Sequence, residues 1–168
     1  MRALFLLAAL AVCLGACAKP DVDVPFDPIE AAFIHKPGKG KINGHAFFRS
    51  EKGQVLFAAG EYVYLIPSTA YTDARFESFF GEEKYLKAMR LFLTQESDPE
   101  YRKFTRNTKA ESDGRFTFEN VAPGTYYLWT QATWYADNAI LPSGGIIYEK
   151  VTVKGDETEP VKVIVSGK

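Results

Sequence analysis

The stretch Asp113-Gly-Arg-Phe-Thr-Phe-Glu-Asn-Val-Ala-Pro-Gly-Thr-Tyr-Tyr-Leu128 decides the fold. Asp113-Gly114 is a tight-turn pair, Phe116 and Phe118 share one face of a period-two segment, and Pro123-Gly124 makes a second turn. Beyond that turn the alternation resumes, with Tyr126 and Leu128 directed inward. Tyr127, Trp129, Gln131, Thr133 and Tyr135 then fall on the opposite face.

The same pattern extends in both directions. Lys41 to Phe48, Glu61 to Pro67, Tyr101 to Lys109, Arg115 to Glu119, Thr125 to Tyr135, Ile146 to Val153 and Val161 to Val165 read as short strands separated by turn-forming residues. Between Asp73 and Gln95 the period changes. Tyr85, Leu86, Met89, Phe92 and Leu93 recur at helical spacing, and Phe76, Phe79 and Phe80 form a shorter apolar turn before Gly81. Many strands with a single helical insert predict an all-β antiparallel sandwich, with the insertion over about 74–95 lying across one sheet. That helix needs an apolar surface. The outward face bearing Tyr127 and Trp129 is the economical place for Leu86, Met89 and Phe92 to pack, and any part of it left open is an exposed aromatic patch.

The chain of 168 residues is 46% hydrophobic and 24% charged, which suits one globular domain with a true core. A net charge of −1 supplies no basic field for nucleic acid.

Residues 113–128 resemble the signature of the carboxypeptidase regulatory-like domain, a transthyretin-like (prealbumin-like) Greek-key β-sandwich of about seven strands. The resemblance runs from about Lys41 to Val165 and includes "GEYVYLIPSTAYT" at 60–72. It implies a fold more than an activity, because such domains are mostly accessory or adhesive modules.

The N-terminal residues belong to a different function. Met1-Arg2 is followed by an apolar run from Ala3 to Leu14 that is too short to span a bilayer, which is the pattern of a secretory signal. Leu14-Gly15-Ala16-Cys17 resembles the bacterial lipobox, which implies a signal peptide over 1–16 and lipid on Cys17. Several acyl chains at about 0.8 kcal/mol per buried CH₂ would hold the protein on a membrane durably. Ala18 in the next position, by resemblance to the sorting pattern of enteric bacteria, implies the outer membrane, facing the periplasm. Residues 17–40, punctuated by Pro20, Pro25, Pro28 and Pro37, read as the lipidated N-terminus and a tether, with Ile29, Phe33 and Ile34 able to dock on the domain that occupies 41–168.

Catalytic signals are sparse. His35 and His45 are the two histidines, and neither has a second ligand at metal-binding spacing, so no metal and no cofactor is expected. The iron site of the intradiol dioxygenases and the hydroxyisourate hydrolase site occur on related sandwiches. Neither motif is present, and the chain ends Val165-Ser-Gly-Lys168 rather than Tyr-Arg-Gly-Ser. "PGKGKING" at 37–44 lacks the order of a phosphate loop. The expectation is a non-catalytic, lipid-anchored binding or structural module of the cell envelope, with an envelope protein or a glycan as partner. The alternative is an envelope hydrolase or the accessory subunit of an envelope enzyme. Tyr127, Trp129 and Tyr135 are the ligand or partner surface this reading nominates.

Overall fold

The computed structural model describes residues 22–50, 53–88, 97–135, 140–141 and 143–167. The expected signal peptide and Cys17 lie outside these residues. No described helix is long and apolar enough to cross a membrane.

The chain is an all-β sandwich of two sheets with a helical insertion. In the first sheet β1 (Gly40–Arg49) is central. It pairs antiparallel with β6 (Arg115–Val121) and β2 (Val55–Phe57), and parallel with β9 (Val161–Gly167). The second sheet has the order β4-β8-β7-β3-β5 and is antiparallel throughout. Its members are β3 (Tyr62–Pro67), β4 (Tyr85–Lys87), β5 (Arg106–Lys109), β7 (Gly124–Trp134) and β8 (Ser143–Val153). The parallel β1–β9 ladder departs from a purely antiparallel sandwich, and the short β2 and β4 raise the strand number above the seven expected.

Residues 113–128 build the core by changing sheets twice. The chain passes from β5 in one sheet to β6 in the other through Asp113-Gly114, and returns to β7 through Pro123-Gly124. Both turns are therefore arches between sheets, not hairpins. Gly114 has φ +80° and its backbone lies so close to the Ala46 carbonyl that a Cβ would sit 2.4 Å from the oxygen, so only glycine fits. Because each turn swaps sheets, Phe116 and Phe118 from one side meet Tyr126 and Leu128 from the other, all at most 3% exposed. The Tyr126 hydroxyl is satisfied by donating to the Ala122 carbonyl at 2.8 Å.

The helical insertion is real but lies earlier than its spacing predicted. Helix α2 spans Ala70–Phe80; Thr69 caps it by accepting from the Thr72 amide, Asp73 sits in its first turn, and Gly81 ends it at φ +59°. Tyr85 to Lys87, expected to be helical, form β4 instead. Cross-strand pairing of Tyr85 with Ile147 and Leu86 with Ile146 on the edge of β8 outweighs helical periodicity in this three-residue strand. Met89, Phe92 and Leu93 lie outside the described residues.

The segment read as a tether is folded onto the domain from Val22. Helix α1 (Pro28–Ala31) is capped by Asp27 and continues into a 3₁₀ turn at Ala32–His35. Ile34 is buried and Phe33 lies on Tyr126 at 5.2 Å between centroids, over a glycine: a Cβ on Gly124 would meet the Phe33 ring at 2.4 Å. Ile29, by contrast, is exposed. Upstream, Phe26 packs edge-on against Tyr71, Tyr101 and Phe104 at 5.3–5.7 Å, and the Glu30 carboxylate accepts from the Ala70 amide at the start of α2.

Candidate functional site

Alternation on the outer face of the second sheet places four side chains in one row across the strands: Asn107 of β5, Tyr64 of β3, Trp129 of β7 and Tyr148 of β8. Helix α2 lies over one end of this row and, among the described residues, leaves the other open. Phe76 stacks on Tyr127 at 4.0 Å and meets Tyr148 edge-on at 5.0 Å, while Phe80 covers Tyr148 at 4.5 Å. Beyond the helix, Tyr64 and Trp129 stack on each other at 4.6 Å with their planes 16° apart. This pair is the floor of a cleft of about 410 Å³.

The two walls differ in chemistry. Phe76, Phe79 and Phe80 of α2, with Leu86 and Ile146, make an apolar wall, whereas Ser97, Arg102, Thr105 and Asn107 make a polar one. Arg75 and Tyr101 join the walls at the back. The Arg75 guanidinium lies 4.7 Å from the centre of the Phe79 ring and 5.7 Å from those of Tyr71 and Tyr101, a cation held among aromatic faces. Burial pushes the Tyr101 phenol up to about 12, opposed by its hydrogen bond with Thr72 and by the Arg75 charge. Tyr101 belongs to a 3₁₀ turn, Tyr101–Phe104, and clusters with Ile66 and Tyr71, against which Val22, Val24 and Phe26 pack. The folded N-terminal segment thus supports the back of the cleft.

The three nominated aromatics are separated by this arrangement. Tyr127 is 7% exposed under α2, its hydroxyl donating to Asp73 and the Lys150 ammonium 4.8 Å from its ring centre, so it is not a surface residue. Burial is the main cause that raises its phenol above the usual range, and the Asp73 charge adds to it. A helix does cover this face, with Phe76 and Phe80 of α2 packing in one cluster with Tyr127 and Leu86. Trp129 is half-buried and lines the cleft. Tyr135 is 69% exposed, follows the end of β7 and does not line the cleft. Trp134 points inward and packs on Phe48 in the main core.

Sequence reasoning missed Tyr64, Arg75, Arg102 and Asn107. A signal existed for Tyr64, since Tyr62, Tyr64 and Ile66 alternate against the inward Val63 and Leu65. None marked Arg102, which arrives from the 3₁₀ turn after the insertion. Neither histidine lines the cleft: His35 lies on Phe104, and the His45 ring stacks on Phe57 on the first sheet, with one ring nitrogen 2.7 Å from the Asp113 carbonyl oxygen. Among the described residues no group of three or more His, Cys, Asp or Glu is placed to hold a metal ion.

No family model matches the chain, and no curated protein matches it. Among solved structures it is similar to a candidate carbohydrate-binding protein from Pseudomonas aeruginosa, at 28% identity and a TM-score of 0.69, over 86% of this chain and 99% of that one. A streptococcal ancillary pilin also aligns, at 18% identity and a TM-score of 0.35, over 79% of this chain and 30% of the pilin, a likeness too slight to carry an argument. Fold and cleft together are compatible with the class of non-catalytic binding modules.

Proposed function

We propose that this chain is a glycan-binding module of the bacterial cell envelope, held to the outer membrane through lipid on Cys17 and facing the periplasm. The observation that carries the glycan reading is the stacked Tyr64–Trp129 floor in an open cleft. A pyranose ring has an apolar C–H face and polar edges. It can lie on an aromatic floor while its hydroxyls meet donors and acceptors at one side, here Ser97, Thr105 and Asn107. A cleft of about 410 Å³ lies in the usual range for small-molecule sites. The similarity to a candidate carbohydrate-binding protein supports the reading. The lipobox-like residues 14–17 support the anchor, and the resemblance of residues 113–128 to carboxypeptidase regulatory-like domains supports an accessory rather than a catalytic role.

The test is retention of the mature chain on immobilised envelope polysaccharides. Trp129→Ala and Tyr64→Ala should each lower retention at least tenfold, with thermal melts confirming that the variants are folded, while Tyr135→Ala should bind like the parent. Full retention by Trp129→Ala would remove the cleft from consideration. For the anchor, Cys17→Ser should release the protein from membranes and abolish labelling by a fatty-acid probe.

A further inference from the structure

We propose that the sugar taken by this cleft carries a carboxylate, and that Arg102 recognises it; the inference rests on the glycan reading above. The described lining residues include two arginines and neither aspartate nor glutamate. Arg102 is exposed on the polar wall, and its Nε donates to the Ser97 hydroxyl at 3.4 Å. That contact turns the side chain along the wall and uses only one of the guanidinium donors.

The acids nearest in sequence are engaged elsewhere. Glu100 pairs with Lys103, and Asp98 accepts from the Glu100 amide at 2.8 Å. Among the described residues no salt bridge includes Arg102. Its planar fork matches a carboxylate with two parallel hydrogen bonds, which a neutral hydroxymethyl group at the same ring position cannot reproduce. The ligand class is therefore an acidic pyranose, such as a hexuronate, lying on Tyr64 and Trp129 with its carboxylate toward Arg102.

The experiment titrates the mature chain with oligogalacturonate and with the same oligosaccharide fully methyl-esterified, followed by calorimetry. The acid form should bind about tenfold tighter, the effect of one charge-assisted hydrogen bond pair. Arg102→Gln should reduce that preference to within twofold, with the larger loss of affinity falling on the acid form. Equal binding of acid and ester by the parent, with both lost in Trp129→Ala, would overturn the carboxylate inference and keep the glycan reading. An acid preference that survives Arg102→Gln would overturn the role of Arg102. Absence of Trp129-dependent binding to either oligosaccharide, together with failure to bind any immobilised polysaccharide, would overturn both.

Discussion

The two faces of β7 make the most instructive contrast in the molecule. On the inner face Tyr126, Leu128, Thr130 and Ala132 are sealed uniformly, each at most 4% exposed, by the opposite sheet. The outer face changes character within a few residues: Tyr127 is under α2, Trp129 is half-covered in the cleft, and Gln131 and Thr133 are in solvent. A sheet covers a whole face, whereas an eleven-residue helix covers part of one. Among the described residues, the cleft lies where α2 stops short of spanning the face it packs on.

Substitutions along the two faces should separate stability from binding. The largest loss is expected for Leu128→Ala, which leaves a cavity between the sheets and should cost about 4 kcal/mol in chemical denaturation. If Leu128→Ala costs no more than an outer-face change, the inner face is not the stable one. Phe76→Ala should cost about 3 kcal/mol by stripping the cover from Tyr127. It should also raise protection-factor losses in α2 more than in β7 when hydrogen exchange is followed, because the inner face of β7 stays packed.

Tyr126→Phe should cost least, about 1 kcal/mol at neutral pH, for the lost bond to Ala122. It also sharpens the comparison through pH. Burial raises the Tyr126 phenol to about 12, and Tyr101 likewise, from 10 in the unfolded chain. Between pH 10 and 12 the unfolded state loses these protons and the folded state keeps them, so stability is intact below pH 10 and falls across that window. A denaturation series in alkali should therefore show a shallower decline for Tyr126→Phe than for the parent, and parallel declines would mean the phenol titrates normally.

The inner face was legible in the sequence because alternation and turn chemistry act locally: Gly114, Phe116, Phe118, Tyr126 and Leu128 sit as their spacing requires. The direction of the turns was not, since Asp113-Gly114 serves a hairpin or an arch equally and the choice depends on which sheet offers a free edge. Residues 85–87 were misread for a related reason. A helical repeat of large apolar residues also satisfies a three-residue strand, and the edge of β8 decides between them. The cleft was only half visible. Trp129 announced itself by type and register, but Arg102 and Asn107 become neighbours of Trp129 through strand order, which no local pattern encodes.

The packing of Val22, Val24 and Phe26 against the cluster of Ile66, Tyr71 and Tyr101 also bears on the proposed anchor. Four residues lie between Cys17 and Val22, and the five steps, at 3.3–3.6 Å each, reach at most about 18 Å. With lipid on Cys17, the leash is too short for the domain to range freely. On the proposed anchor, Val22 would lie within that distance of the bilayer, and the glycans offered to the cleft would be those close to the membrane surface.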